Sequence, residues 1–323
     1  MYPNFSVVIP AFNAATFVSQ ALDSVLNQTV PAHEVIVVDD GSTDNTVDVV
    51  QGWQKARETV IRIVKQQNAG AAAARNRGAM AATGIWILFL DSDDCLEPCA
   101  LAAFSKGIAA APEVKWVGAD YRTTDIATGE IFIPSLVNRP RVSPMLRHAF
   151  DSNQPVLLAR PWEHFLRANF TCMGANVIRR DTFVLSGGFR EHLKIAEDYQ
   201  LWIRLAAMTD FVFVPKLVMS YRARQSSLTN APEPPRKWTK PAFRQLTELD
   251  GFNPKHAVFR QRYAEFERQD AVYFAKNRMI MEALGCCFRA IRQDCFHMQN
   301  WLLLLSVIVH PIRKPRALTG ECL

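Results

Sequence analysis

Residues 85–94 read Ile-Trp-Ile-Leu-Phe-Leu-Asp-Ser-Asp-Asp and join a run of six apolar residues to a cluster of three acids. The apolar run contains β-branched and aromatic residues and predicts a strand that is buried on both faces. Like charges at its end would repel each other and raise each other's pKa. A divalent cation would remove this repulsion, and hard cations prefer carboxylate oxygens. The stretch therefore predicts a metal site at the edge of a sheet.

The first hundred residues alternate short apolar runs with helical patterns. Three further strands are expected at residues 6–10, 34–38 and 60–64, and the helices between them include an Ala-rich one at residues 70–82. Strands separated by helices indicate βαβ units and a mostly parallel sheet. Ligands of such sheets bind at the carboxyl ends of the strands. Five acids are expected at these ends: Asp39, Asp40, Asp91, Asp93 and Asp94.

The rest of the chain is less regular. Five prolines within residues 134–161 favour a long loop or lid, and a proline-rich linker is expected at residues 231–240. Helical patterns follow this linker. The sequence therefore predicts a domain over residues 1–230 and a mostly helical C-terminal extension over residues 231–323.

Composition limits the classes of function. The chain has 323 residues, a formal net charge of +6 and no block of five or six basic residues. We therefore expect no nucleic-acid partner, whereas an anionic ligand or an anionic membrane surface would suit the modest positive charge. Seven cysteines without a zinc spacing predict free thiols in a reducing compartment. We expect a cytoplasmic protein, either soluble or peripherally attached to the inner face of the membrane.

Two of the acidic motifs have alternative interpretations. An Asp-x-Asp motif after a strand also occurs in phosphatases of the haloacid dehalogenase type, but Cys95 at the fifth position and the location on the fourth strand argue against that class. In dinucleotide folds an acid at the position of Asp39 or Asp40 bonds a ribose, yet no Gly-x-Gly-x-x-Gly motif follows the first strand. The acid pair could instead be a solvated turn before Gly41.

Two further groups are candidates for chemistry. Arg75 lies in the Ala-rich helix and could reach a phosphate or a base, although an exposed arginine in a salt bridge is an equal alternative. Glu197 and Asp198 open a helix, where acids are stabilised by the helix dipole. Their functional interpretation is a general base, which accepts a proton from an incoming nucleophile.

Five segments, taken together and in this order, resemble the motifs of family 2 glycosyltransferases of the GT-A fold. They are Ser-Val-Val-Ile-Pro-Ala-Phe-Asn (6–13), Val-Val-Asp-Asp-Gly-Ser-Thr-Asp (37–44), Asn-Ala-Gly with Ala-Arg-Asn-Arg-Gly (68–70, 74–78), Phe-Leu-Asp-Ser-Asp-Asp (89–94), and Gly-Gly-Phe with Glu-Asp-Tyr-Gln-Leu-Trp (187–189, 197–202). The resemblance implies a Rossmann-like three-layer α/β/α sandwich with a helical C-terminal tail. It also implies an inverting, hexosyltransferase-type enzyme that uses a nucleotide-diphosphate sugar.

The resemblance assigns roles to individual residues. Asp198 matches the catalytic base, and Asp93 matches the direct ligand of Mn²⁺ or Mg²⁺, with Asp91 beside it and nearer the ribose. Arg224 stands where relatives often have His, which suggests contact with the diphosphate. The positions that match the nucleotide-binding segments are Pro10, Phe12, Asp39, Asp40 and Arg75.

The acceptor is expected to be a sugar or a lipid-linked hydroxyl, in the synthesis of a polysaccharide, glycolipid or other glycoconjugate. Two alternatives stay open: a metal-dependent phosphatase or nucleotidyltransferase, and an inactive scaffold that binds nucleotide sugars. The apolar stretch at residues 301–309 is either a packed core helix or an anchor at the membrane surface, and the oligomeric state is left open.

Overall fold

The computed structural model describes residues 2–56, 61–159, 161–193, 195–224, 239–244, 247, 253 and 255–309. The chain divides into two compact units, Met1–Asn230 and Ala231–Leu323. The predicted linker at residues 231–240 lies outside the described residues up to residue 238.

The first unit alternates strands with helices. Its strands are β1 (Phe5–Ala11), β2 (Glu34–Asp39), β3 (Ile61–Lys65), β4 (Trp86–Phe89), β5 (Cys95–Leu96), β6 (Trp116–Asp125), β7 (Ile131–Ile133), β8 (Val156–Leu158), β9 (Asn176–Arg179) and β10 (Phe211–Ala223). Its helices are α1 (Val18–Leu26), α2 (Thr46–Ala56), α3 (Ala71–Ala81), α4 (Ala100–Ala110), α5 (Ser143–Ser152), α6 (Trp162–Arg167), α7 (Arg180–Leu185) and α8 (Glu197–Met208). Two short 3₁₀ helices lie at Leu136–Asn138 and Met173–Ala175.

All ten strands form one sheet in the order β3-β2-β1-β4-β9-β6-β10-β5, with β7 beside β6 and β8 beside β10. The first four strands in this order are mutually parallel, and β6 is parallel to β10. Strand β9 runs antiparallel to β4 and β6. Because β1, β2 and β4 are parallel neighbours, their carboxyl ends meet at one edge of the sheet. The chain therefore brings its acidic motifs to the same edge.

The central strands are apolar on both faces because helices cover them. Every residue of β1, β2 and β4 is buried. Ile85 is an exception to the predicted strand at residues 85–90: it is exposed and precedes β4. Its carbonyl accepts a hydrogen bond from the backbone of Arg180 at the start of α7. The buried strand is thus shorter than the apolar run.

Helix α3 packs unusually close to the sheet, as its small residues predict. A Cβ atom on Gly78 would lie 2.2 Å from Val8 Cγ1 and 3.1 Å from Val38 Cγ2. Only glycine permits this approach, because real Cβ contacts are never so short. The contact fixes α3 above β1 and β2, and with it the position of Arg75 at the edge of the sheet.

The prediction of a long loop or lid at residues 134–161 is wrong. This segment contains α5 and β8, and β8 pairs antiparallel with β10. Pro144 misled the sequence interpretation because it lies in the first turn of α5, where proline costs no helical hydrogen bond. Much of the segment is therefore helix or strand, and β8 adds to the sheet beside β10.

The second unit contains four described helices. They are α9 (Thr239–Arg244), α10 (Ala257–Lys276), α11 (Ile280–Gln293) and α12 (Met298–Val309). Helices α10, α11 and α12 share an apolar core of Ala271, Ala283, Cys286, Cys287, Leu304 and Val307. Within the described part of the chain, no helix has the length and apolar character required to cross a membrane.

Candidate active site

The aspartates that end β2 fix the loops around them. Asp40 is buried, and its carboxylate accepts hydrogen bonds from Gln66 Nε2 at 2.7 Å and from the backbone amides of Ala69 and Gly70 at 2.8 Å. Asp39 Oδ1 accepts a hydrogen bond from the Ser42 amide at 3.1 Å. The structure therefore shows Asp40 holding the turn that leads into α3. Direct contact of either acid with a nucleoside stays a prediction.

The end of β1 presents an aromatic ring on a fixed backbone. Pro10 is buried within β1, whereas the Phe12 side chain is 49% exposed. Asn13 adopts a left-handed conformation with a φ of 48°. Its side-chain oxygen accepts a hydrogen bond from the Thr43 amide at 2.8 Å. An exposed ring on such an anchored turn is suited to stacking on a flat ligand.

Three carboxylates follow β4, and they differ in burial and in pKa. Asp94 is buried, and its Oδ1 accepts a hydrogen bond from the Arg222 amide at 2.8 Å. Burial, reinforced by the charges of Asp91 and Asp93, raises the pKa of Asp94 well above its ordinary value. Burial followed by the charge of Asp91 also raises the pKa of Asp93. Asp94 therefore joins the loop after β4 to β10.

The donor chemistry at this edge fits a hard divalent cation. Among the described residues, no group of three or more His, Cys, Asp and Glu side chains surrounds a single point that could hold a metal ion. Magnesium, however, commonly binds one or two carboxylates and completes its coordination with substrate phosphates and water. Asp91 and Asp93, which repel each other, fit such a partial donor set. Their role as metal ligands stays a prediction.

Arg224 is the cation that faces Asp93. Its Nη2 lies 2.9 Å from Asp93 Oδ2, and its guanidinium lies 5.7 Å from the centre of the Phe17 ring. The side chain is partly exposed at 45%, so it borders open space beside the acids. Contact of Arg224 with a diphosphate is compatible with this position and stays a prediction.

Arg75 connects two motifs that are far apart in sequence. Its Nη2 lies 2.6 Å from Asp91 Oδ1, and its Nη1 lies 2.9 Å from Glu197 Oε1. The side chain is only 6% exposed. Although burial opposes its charge, the two carboxylates raise the pKa of Arg75. The expected phosphate or base contact is therefore only one interpretation, because in this structure the guanidinium neutralises the two acids.

Asp198 lies in the first turn of α8, next to this ion pair. Burial, then the charge of Glu197, raises the pKa of Asp198 from its ordinary value of 3.8 to about 7. Its Oδ1 accepts a hydrogen bond from the Tyr199 amide at 2.6 Å. A carboxylate with a pKa near neutrality is suited to accept a proton at physiological pH. The raised pKa supports the prediction that Asp198 is a general base.

The backbone before α8 is strained. Ala196 has a φ of 66° and a ψ of 18°, a left-handed conformation that alanine rarely adopts. This residue immediately precedes the two acids. The conformation sets the direction in which the first turn of α8 begins. Strained backbone of this kind persists only where the surrounding contacts hold it.

Sequence reasoning missed two residues that position this turn. Asn76, next to Arg75 on α3, donates to the Phe189 carbonyl at 2.9 Å and accepts from the Phe189 amide at 2.8 Å. Arg204 on α8 donates to the carbonyls of Ser186 and Gly188. Both side chains therefore hold the Gly-Gly-Phe turn against α3 and α8. The only sequence signal was the presence of polar residues inside otherwise apolar helices.

Solved structures share this fold, including two that contain nucleotide ligands. S. aureus TarS 1–349 in complex with UDP-GlcNAc aligns with a TM-score of 0.63 and 20% identity, over 94% of this chain and 84% of that one. The mannosyltransferase PcManGT from Pyrobaculum calidifontis, in complex with GDP-Man and Mn²⁺, aligns with a TM-score of 0.61 and 18% identity, over 98% and 82%. The predicted GT-A α/β fold is confirmed.

Sequence comparisons cover most of the first unit and reach into the second, up to residue 272. Chondroitin synthase of Pasteurella multocida is 30% identical over 220 residues, which are 67% of this chain and 20% of that protein. This chain thus spans about a fifth of the length of that curated relative. The model of Glycosyl transferase family 2 matches residues 6–130, and that of Glycosyltransferase like family 2 matches residues 145–272. Since the motifs, the fold and both matches agree, the chain belongs to glycosyl transferase family 2.

Proposed function

We propose that this protein is an inverting glycosyltransferase that moves a sugar from a nucleotide-diphosphate sugar to an acceptor hydroxyl. The observation that carries the proposal is the arrangement around Arg75. This buried cation joins Asp91, at the predicted donor site, to Glu197, which is adjacent to the predicted base. The site thus combines a region for phosphate binding with a proton acceptor, Asp198, whose pKa lies near neutrality. By analogy with the chondroitin synthase, its product belongs to a polysaccharide or another glycoconjugate.

The donor is proposed to lie along the carboxyl ends of β1, β2 and β4. Phe12 stacks on the nucleobase because its ring is exposed on an anchored turn. Asp39 and Asp40 border the nucleoside, and Asp91 borders the ribose. A Mn²⁺ or Mg²⁺ ion held by Asp93 and Asp91 would neutralise the diphosphate and improve it as a leaving group. TarS was solved with UDP-GlcNAc and PcManGT with GDP-Man and Mn²⁺, which supports a nucleotide-diphosphate sugar as the donor.

The chemical step is a single displacement. Asp198 takes the proton of the acceptor hydroxyl while the oxygen attacks the anomeric carbon. The bond between that carbon and the diphosphate oxygen breaks, and nucleoside diphosphate leaves with the electron pair. Because attack and departure occur on opposite faces of the sugar, the configuration inverts. Arg75 acts as a positioning residue, since it holds Glu197 and Asp91 without itself touching the acceptor.

The pH dependence of kcat/KM should follow the ionisation of Asp198. Its pKa is raised to about 7, so the carboxylate is ionised above this pH and protonated below it. Only the ionised form can accept a proton. We therefore expect kcat/KM to fall about tenfold per pH unit below about pH 7 and to level off above it. A profile that is flat between pH 5 and 8, measured with saturating metal, would contradict this assignment.

Arg224 should contribute to donor affinity. We expect Arg224→Ala to weaken the binding of a nucleotide-diphosphate sugar by roughly tenfold, because a charge-assisted hydrogen bond to phosphate is lost. Isothermal titration calorimetry in the presence of Mn²⁺ measures this change. Lys216→Ala is the matched control, since Lys216 is an exposed cation on β10, the strand that ends directly before Arg224. If Arg224→Ala bound the donor as tightly as the wild type, Arg224 would not be a donor ligand.

The proposal as a whole is tested by product analysis. The full chain is incubated with a panel of UDP- and GDP-sugars and Mn²⁺, with and without candidate acceptors. A glycosyltransferase should release nucleoside diphosphate slowly alone and faster with acceptor, and chelation of the metal should stop the release. Release of inorganic phosphate would instead indicate a phosphatase. Donor binding without any turnover across the acceptor panel would indicate a nucleotide-sugar-binding scaffold.

A further inference from the structure

Helix α12 carries apolar side chains on its solvent side. Trp301, Leu302, Leu305 and Ile308 are between 46 and 56% exposed, and Met298 is more exposed still. Their spacing of three and four residues places them along one side of the helix. We call these five side chains the apolar stripe. The opposite side of α12 is already used, because Leu304 and Val307 pack into the core of the second unit.

The stripe lacks the polar residues that normally cover a surface helix. Helix α12 contains no charged residue from Met298 to Val309. In the described residues, 9 of the 19 large apolar side chains that are exposed lie between residues 279 and 308. Such a concentration marks a surface that contacts an apolar partner. Tryptophan is enriched where one end of a side chain is apolar and the other is wet.

The charge of the chain is concentrated in the same unit. Residues 1–230 hold 22 basic and 22 acidic residues, whereas residues 231–323 hold 15 basic and 9 acidic residues. The formal charge of +6 therefore belongs entirely to the second unit. Arg292, at the end of α11, is exposed close in sequence to the stripe. An apolar helix face in a basic unit matches the interface of an anionic bilayer.

We propose that the apolar stripe of α12 inserts into the interfacial region of an anionic membrane, with the basic second unit above the headgroups. A second copy of the chain could also cover an apolar face. Burial between two copies, however, would bring two units of the same positive charge together, and this repulsion favours the anionic surface. The helix would lie in the interface and not cross it, since its described part, Met298–Val309, has 12 residues.

The test uses the full chain and two kinds of vesicle, one of phosphatidylcholine and one of equal parts phosphatidylcholine and phosphatidylglycerol. We expect co-sedimentation with the anionic vesicles, which weakens at high salt, and much less with the neutral ones. The double variant Leu302→Gln/Leu305→Gln should lose partitioning by roughly tenfold or more, because the stripe no longer gains from leaving water. Arg292→Gln should lose roughly fivefold, and only on anionic vesicles.

Ile131→Gln/Phe132→Gln provides the matched control. Both side chains are exposed to a similar degree, at 51 and 52%, but they lie on β7 of the first unit. This variant should partition like the wild type. Circular dichroism and thermal unfolding establish that both double variants are folded. The proposal is overturned if the wild type ignores anionic vesicles or if the two double variants behave alike. Sedimentation velocity provides a further test. The proposal is also overturned if the wild type is a dimer, if Leu302→Gln/Leu305→Gln is a monomer, and if both bind vesicles equally.

Discussion

Replacing Asp198 by Asn is expected to lower kcat by roughly 10²- to 10⁴-fold, because the acceptor hydroxyl then has no group to take its proton. Donor affinity should change little, since Asp198 is the proposed base and not a donor ligand. The amide can still accept the hydrogen bond from the Tyr199 backbone. Steady-state kinetics of nucleoside diphosphate release, together with calorimetric titration of the donor, measure both quantities. Turnover close to that of the wild type would show that another group is the base.

A measurement of stability distinguishes the loss of the proposed base in Asp198→Asn from damage to the fold. The folded protein raises the pKa of Asp198 above its ordinary value, so the folded state binds a proton more tightly than the unfolded state does. Ionisation of Asp198 therefore costs stability as the pH rises from about 4 to about 7. Asp198→Asn removes this cost and should unfold at the same temperature or higher at pH 8. Asp48→Asn is the matched control, because Asp48 is an exposed acid in the first turn of α2.

Replacing Arg75 by Met is expected to destabilise the first unit and to change its pH profile. Methionine fills similar space but leaves Asp91 and Glu197 without their shared cation. Removal of one member of a buried ion pair typically costs roughly 3 to 5 kcal/mol, and partial exposure of Asp91 places this variant at or below the low end. Thermal and urea unfolding measure the loss. Lysine cannot replace the forked guanidinium, so Arg75→Lys should restore only part of the stability.

The pH profile distinguishes a positioning role from a purely structural one. The charge of Arg75 lowers the pKa of Asp198, against burial and Glu197, which raise it. Without Arg75, the acidic limb of the kcat/KM profile should move to higher pH. Arg77→Met is the matched control, since Arg77 is exposed on the same helix. If Arg75→Met kept the stability and the profile of Arg77→Met, the bridge between the two motifs would have no energetic role.

Much of the first unit could be predicted from local sequence. Strands β1, β2 and β4 are short apolar runs buried on both faces. Such runs can be recognised as strands from the local sequence alone. The acids at their ends followed from the rule for parallel sheets. The Ala-rich character of α3 predicted close packing, and Gly78 shows how close it is. In each case the signal lay within about ten residues of the feature it predicted.

The features that escaped prediction depend on distant partners. Strand β10 was missed because Pro215 and Lys216 interrupt its apolar pattern, and its pairing with β6 shifts register there. The bridge from Arg75 to Glu197 joins residues 122 positions apart. No local pattern reports such a contact. The sequence therefore favoured neither of two interpretations of Arg75, as a ligand of phosphate or as a surface arginine. The predicted linker up to residue 238 lies outside the described residues.

The left-handed Ala196, two residues before the proposed base, implies a compromise between rigidity and stability. At Ala196, glycine would adopt the same backbone conformation without steric cost, whereas alanine loses roughly 1 kcal/mol or more there. Glycine would also open many other conformations to the peptide that carries Glu197 and Asp198. Alanine therefore restricts the directions in which α8 can start, and the carboxylate of the proposed base is held in place by a residue that makes the protein less stable. We therefore expect Ala196→Gly to raise the melting temperature while holding the proposed base, Asp198, less precisely.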